Sequence, residues 1–199
     1  MQIVVFESLT LDGVMQAPGR RDEDVRGGFK HGGWAIPYFD PAMGRVAQES
    51  MANTGGLLFG RRTYEDFLSV WPNRTDNPFT EVLNNSPKYV ASTTLEEPLP
   101  WQNSILLKGD AAETITRLKK EPGKQLVVLG SGRLIQSLMR SNLVDEFVLQ
   151  IHPLLLGSGR RLFADGATAN IRLVDSKTTP TGVVIATYRA VGAPVLATT

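Results

Sequence analysis

The stretch Gln125–Phe163, QLVVLGSGRLIQSLMRSNLVDEFVLQIHPLLLGSGRRLF, restricts the fold more than any other part of the chain. Gln125–Leu129 is a short apolar run rich in β-branched residues, the composition of a strand buried on both faces. Gly130-Ser131-Gly132 breaks the run, and from Arg133 the residues Leu134, Ile135, Leu138 and Met139 recur at helical spacing. Asn142 closes that helix, and Asp145–Ile151 returns to a strand pattern. Strand, glycine turn, helix and strand in so short a span make a βαβ unit. Its glycines fall at the carboxyl end of the first strand, where open α/β sheets bind ligands.

Such a turn suits an anion, because glycines admit a ligand close to the backbone and the first amides of the helix carry its positive dipole end. A phosphate or pyrophosphate fits; a turn with no role beyond joining strand to helix is the other reading. A second corner of the same kind lies earlier. Leu57–Phe59 reads as a buried strand, Gly60 as the turn, and Arg61-Arg62-Thr63-Tyr64 opens a helix that also carries Phe67 and Leu68. Two arginines and a threonine at a helix N-terminus offer fixed charge and donors to phosphate, or lie on a solvated face.

Elsewhere, Ile3–Phe6 is a first strand running into an irregular loop with Asp12-Gly13 as its turn pair. Residues 17–37 lack either period, and a loop of that length in a small domain is a substrate-side lid, a subunit contact or a mobile insertion. Asp40-Pro41 starts a helix whose Met43, Val46, Ala47 and Met51 share a core face. After a loop from Trp71 to Pro78 and a short helical or irregular piece come strands at Lys88–Ala91 and Ser104–Leu107, then a helix opened by Asp110-Ala111-Ala112-Glu113 at capping-box spacing. Ile171–Lys177 and Val183–Arg189 read as a closing antiparallel pair, and small residues from 191 to 199 as a loose tail. Strands alternating with helices and then a strand pair predict one α/β domain over residues 1–190, with a mostly parallel sheet and an antiparallel edge.

The chain's 199 residues suffice for one ample core. Its 21 basic and 20 acidic residues give no case for nucleic acid or a membrane surface as partner. With no cysteine, disulfides, thiol catalysis and thiolate metal sites are excluded, and no metal is expected. No apolar run has transmembrane length and the start lacks a leader pattern, so a cytoplasmic protein is the simplest reading. No P-loop lysine follows the glycines, and Gly130-Ser131-Gly132 lacks the third glycine of the dinucleotide fingerprint.

Three motifs together resemble the dihydrofolate-reductase-like superfamily: Ser8-Leu9 with Asp12-Gly13, Gly60-Arg61-Arg62-Thr63, and Gly130-Ser131-Gly132 followed by Pro153–Gly159. The nearest likeness is to single-domain proteins similar to the reductase domain of the bifunctional riboflavin-biosynthesis deaminase-reductase. The resemblance implies a three-layer α/β/α fold and an NADPH-dependent reductase of a pterin-like or 5-amino-6-(5-phosphoribosylamino)uracil-like heterocycle, often dimeric. The alternative is an NADP(H)-binding sensor or scaffold without efficient chemistry.

By position in the family, Ser8 and Met15 would meet the nicotinamide end, with the turn from Gly130 through Ser131, Gly132, Arg133 and Leu134 to Ile135 opposite. Arg61 would meet the 2′-phosphate and Arg62 and Thr63 the pyrophosphate after Gly60, with Ser92, Thr93 and Lys108 completing the phosphate side. Asp12 is the nominee for orienting substrate or relaying a proton, with Tyr38, Phe39, Glu49 and Gln150 around the substrate. Two places depart from the pattern: the helix after Asp40 offers only Glu49 as a carboxylate, and Leu129 stands where related pyrimidine reductases place a glutamate.

Overall fold

The computed structural model describes residues 1–77 and 79–192. Eight strands form one sheet: β1 (Ile3–Thr10), β2 (Thr54–Gly60), β3 (Lys88–Ala91), β4 (Ser104–Leu107), β5 (Gln125–Leu129), β6 (Glu146–His152), β7 (Ile171–Thr178) and β8 (Val184–Ala190). Their order across the sheet is β4-β3-β2-β5-β1-β6-β8-β7. From β4 to β6 every neighbouring pair is parallel, whereas β8 and β7 run antiparallel. This is the expected α/β architecture with its antiparallel edge. The tail expected over residues 191–199 lies, from residue 193 on, outside the described residues, as does Pro78 at the end of the expected loop.

Five α-helices cover the two faces: α1 (Pro41–Ala52), α2 (Arg61–Val70), α3 (Phe79–Asn85), α4 (Ala111–Lys120) and α5 (Gly132–Arg140). On one face Tyr64 of α2, Leu83 of α3 and Met51 of α1 pack with Leu57, Phe59, Val90, Trp101 and Val127. On the other, Ile115 of α4 and Leu134, Ile135 and Leu138 of α5 pack with Ile3, Val5, Leu58 and Val128. Alternation along the strands explains the division, since neighbours such as Val127 and Val128 point to opposite sides. Met43 and Met51 are buried core residues, as their helical spacing implies.

The neighbours β2 and β5 send their chains in opposite directions. After β2 the chain enters α2 and continues to β3, whereas after β5 it enters α5, on the opposite face, and continues to β6. Their carboxyl ends therefore diverge and leave a crevice, which is the switch point of an open α/β sheet.

The first strand is longer than the expected Ile3–Phe6. Its partner β6 continues the pairing from Val4↔Glu146 to Thr10↔His152, so Ser8, Leu9 and Thr10 are strand and not loop. The chain start is pinned by Asp145, whose Oδ2 accepts from the Ile3 amide at 2.7 Å and from Lys119 Nζ at 2.6 Å. At the far edge Lys88 is fully buried, donating to the carbonyls of Asn84, Ser86 and Gln102 at 2.9, 2.9 and 3.0 Å. Its ammonium also lies 4.6 Å from the centroid of the Trp101 ring. Burial pulls its pKa down to about 8, while the carbonyls and the ring are groups that favour the charged form. Lys88→Met is expected to lower the unfolding free energy by about 3 kcal/mol, because three carbonyls lose their buried donor. Urea unfolding measures this, and an unchanged midpoint would contradict it.

Candidate functional site

A cleft of about 1300 Å³ opens at the carboxyl ends of β1, β2, β3 and β5. That exceeds the roughly 300–1,000 Å³ of a typical small-molecule pocket, so there is room for two ligands side by side. Its centre is the meeting of the two glycine corners. The Gly60 amide donates to Ser131 Oγ at 3.0 Å, and Thr63 Oγ1 donates to the Gly130 carbonyl at 3.1 Å. Ser131 Oγ in turn donates to the Leu129 carbonyl at 3.0 Å. The corner on α2 and the corner on α5 are thus fastened to each other.

The corner between β5 and α5 needs glycine. Gly130 has a φ of 59°, and a Cβ there would come within 3.0 Å of Thr63 Cγ2. A Cβ on Gly132 would lie 2.5 Å from Met15 Sδ. The helices that leave these corners differ from two others in the fold. Asp40 caps α1 by accepting from the Ala42 amide, and Asp110 caps α4 by accepting from Glu113. No side chain caps α2 or α5, and neither has an acid in its first turn. Their free amides and dipoles open on one cleft, a donor set that suits phosphate oxygens.

Charge supports the same conclusion. Arg61, Arg62, Arg133, Arg160 and Arg161 line the cleft. Arg61 reaches Glu65 at 3.7 Å and Arg161 reaches Asp12 at 4.0 Å, whereas no ion pair forms at Arg62, Arg133 or Arg160 among the described residues. Arg62 and Arg133 occupy the first turns of α2 and α5, where a cation opposes the dipole by about 0.3–1 kcal/mol unless an anion lies between. On the β3 side, Ser92 Oγ accepts from the amides of Thr94 and Leu95 at 3.1 and 3.0 Å, which leaves its O–H to donate. The residues present therefore fit a phosphorylated dinucleotide.

Residues 17–37 form one wall. Gln16 anchors the segment: its Nε2 donates to the carbonyls of Asp24 and Arg26, and its Oε1 accepts from the Arg160 amide. Trp34 Nε1 donates to the Gln16 carbonyl at 2.7 Å, and Val14, Ala17, Phe29 and Trp34 make a small core of their own. Arg20 crosses to α2, where its Nη2 donates to Asp66 at 2.5 Å. Residues 17, 18 and 22–26 line the cleft, so this loop bounds the space next to the glycine corners.

Of the expected site residues the cleft gathers Ser8, Met15, Gly60, Arg61, Arg62, Thr63, Ser92, Thr93, Gly130, Ser131, Gly132, Arg133 and Leu134. Others stand elsewhere. Ile135 is fully buried in the core under α5, and Lys108 is exposed beyond the lining. Asp12 is outside the lining because its carboxylate fastens the bend after β6: it accepts from Thr10 Oγ1 at 2.5 Å and from the amides of Leu156 and Gly157 at 3.2 and 2.8 Å. The Thr10 hydroxyl, aided by those amides, holds Asp12 below the usual carboxylate range.

The four substrate nominees do not converge. Phe39 is 73% exposed, and Glu49 on α1 faces Lys177 at 3.9 Å. The Tyr38 ring packs edge-on against His152 at 5.7 Å, beside a second, smaller cavity. Gln150 lies outside the lining and meets Ser8, whose hydroxyl donates to its Oε1 at 3.1 Å.

One cleft residue was not anticipated. Glu7 is 4% exposed and lines the cleft, and its Oε1 is buried without a hydrogen-bond partner. Burial pushes its carboxyl well above the usual range; the Gly130 amide pulls back in part, and Glu23 on the loop adds to the rise. A sequence signal existed. Glu7 shares the core-facing register of Ile3, Val5 and Leu9, where a charge is out of place.

Strand order, crevice and paired corners define a dihydrofolate-reductase-like protein. The chain belongs to the RibD C-terminal domain family, whose model matches residues 2–185. It is similar to the uncharacterized protein YyaP of Bacillus subtilis (strain 168), 31% identical over 193 residues that make up 94% of each chain. A putative riboflavin biosynthesis protein from Shewanella sp. PV-4 superposes with a TM-score of 0.73 at 27% identity, over 96% of this chain and 100% of that one. Dihydrofolate reductase from Enterococcus faecalis, complexed with NADP(H) and RAB-propyl, shares the fold at 11% identity, with a TM-score of 0.61 over 95% of this chain and 96% of that one. No helix among the described residues is long and apolar enough to cross a membrane.

Burial of Glu7 has a measurable sign. Above the unfolded value of about 4.5 the unfolded chain releases this proton while the folded chain keeps it, so the residue's contribution to stability falls as pH rises towards its folded pKa. Glu7→Gln removes that slope. Its melting temperature is expected to gain on the wild type as pH is raised from about 4.5 through neutrality. Thermal melts across a pH series test this, and a difference constant with pH would contradict it.

Proposed function

We propose that this protein is an NADPH-dependent reductase that delivers hydride to a small heterocycle of the pterin or ribosylaminopyrimidine kind. The observation that carries the reading is the pair of uncapped helix N-termini, on α2 and α5, fastened together at one cleft and each bearing an arginine where a stable helix prefers an acid. Membership in the RibD C-terminal domain family supports a reductase of the riboflavin-pathway type. The fold shared with an NADP(H)-bound dihydrofolate reductase supports the choice of cofactor.

When bound, the coenzyme would supply the hydride, and the chain's own residues would supply the rest. Free amides of α2 and α5, with Arg61, Arg62 and Arg133, would hold the phosphates. Ser92 and Thr93 would donate to the adenosine phosphate. Met15 and the Gly130–Gly132 turn would border the nicotinamide, and Ser8, held by Gln150, would orient it or the substrate beside it. Ser131 and Thr63 spend hydroxyl contacts on joining the corners, so their part is to position the backbone. The wall formed by residues 17–37 would exclude water from the reacting atoms.

Self-association through β7 is part of the proposal. All eight residues of this edge strand are exposed, Leu173 and Val174 among them at 50% and 44%. Leu173→Asp is expected to shift a dimer towards monomer in sedimentation, and a wild type that sediments as a monomer removes this element.

The cofactor assignment predicts that Arg61→Ala weakens NADPH by about 10- to 100-fold and NADH far less, since one charge-assisted contact to the 2′-phosphate is lost. Fluorescence titration of both coenzymes measures this, and equal losses would misplace Arg61. NADPH binding without oxidation by any heterocycle would favour a sensor or scaffold.

A further inference from the structure

We propose that Glu7 is the group that hands a proton to the substrate as it is reduced. The inference rests on the reductase reading and adds to it the residue that completes the chemistry. Phe6↔Leu129 is the last pair between β1 and β5. One step further on, Glu7 has Gly130 as its neighbour on that side, with no Cβ to cover it. Its side chain is thereby directed into the cleft next to the turn that borders the expected nicotinamide, on the face that carries α5.

The other buried polar residues near the site have evident structural partners. Gln16 bonds to three backbone groups, Thr10 to Asp12 and the Val14 amide, and Ser131 to both corners. Glu7 is the one acidic residue in the buried class among the described residues, and its Oε1 has no hydrogen-bond partner. A buried carboxyl with one oxygen left unpartnered at the edge of a cleft is a carboxyl with capacity for a ligand.

Of the remaining cleft acids, Asp22 and Asp165 are exposed to solvent and four are engaged. Glu23 accepts from the Gly19 and Arg20 amides, Asp66 binds Arg20, Asp24 binds Arg26, and Asp110 caps α4. Charged groups share the cleft with Glu7 from several elements: Arg61, Arg62 and Asp66 on α2, Arg133 on α5, Asp110 before α4, Arg160, Arg161 and Asp165 after β6, and Asp22, Glu23, Asp24 and Arg26 on the loop. Only Glu23 acts on it, and it raises the pKa further. No arginine contributes to the shift, and burial favours the protonated form, the one a general acid needs.

When bound, the coenzyme would supply a hydride to the carbon of a substrate C=N or C=O bond and would be left as the oxidised nicotinamide, while the substrate is reduced. The π pair moves onto nitrogen or oxygen, that atom takes the Glu7 proton, and the carboxylate recovers a proton from water. Substrates of this class therefore present a basic nitrogen or carbonyl oxygen beside the reducible carbon.

The test uses full-length wild type and Glu7→Gln, with Tm as the check of folding. In wild type labelled with 13Cδ-glutamate, the resonance that vanishes in Glu7→Gln should titrate above all other glutamates. Glu7→Gln should bind NADPH like wild type by fluorescence titration. With 7,8-dihydropterin and 5-amino-6-ribosylaminouracil as acceptors, wild-type NADPH oxidation should decline with rising pH, and in Glu7→Gln the rate should fall about 100-fold and lose that decline. A Glu7 resonance with an ordinary titration, or undiminished turnover in Glu7→Gln, overturns the proton-donor role while leaving the reductase reading intact. Failure of wild type to bind NADPH, or to oxidise it with either acceptor, overturns the reductase reading and the donor role with it.

Discussion

The two bonds that cross between the corners, Gly60 amide to Ser131 Oγ and Thr63 Oγ1 to the Gly130 carbonyl, are what the rest of the site depends on. Without them, the positive ends of α2 and α5 would tend to separate, because like dipole ends repel and each first turn also carries an arginine. The bonds hold these ends together at a local disadvantage. A pyrophosphate set between them would convert that repulsion into attraction, in the way functional sites set local strain against binding.

The same contrast separates structural from functional polar groups throughout the chain. Lys88, Gln16 and Asp145 are polar groups drawn into the fold, and each is matched by partners that account for its placement. Asp12 belongs with them: its carboxylate ties the turn after β1 to the bend after β6, which supports the cleft from beneath. Glu7 does not. Its burial opposes stability, the Gly130 amide offsets that only in part, and its Oε1 has no hydrogen-bond partner among the described residues.

Much of the architecture was legible in the chain. The β5–α5–β6 unit, the strand bounds at Lys88–Ala91 and Ser104–Leu107, and the capping roles of Asp40 and Asp110 all follow from local chemistry, and the structure has them. The end of β1 was not legible, because strand pairing to Thr10 is set by β6, far along the chain. The cofactor-side nominees gathered because they sit at strand ends whose sheet position the βαβ pattern already implied. The substrate-side nominees scattered because Tyr38, Glu49 and Gln150 are placed by packing against His152, Lys177 and Ser8, contacts between segments remote in sequence. Glu7 could have been found by asking which strand residue faces the core with a charge.

The sheet order also bears on how the protein is made. Of the described strands of this sheet β1 is made before the others, yet both its neighbours, β5 and β6, come from the second half of the sequence. The Ile3–Thr10 segment must wait through synthesis of well over a hundred residues before it can pair. During translation this apolar strand is an unpaired edge open to chaperones or to misassociation, and the glycine corners can meet only once Gly130 and Ser131 have emerged.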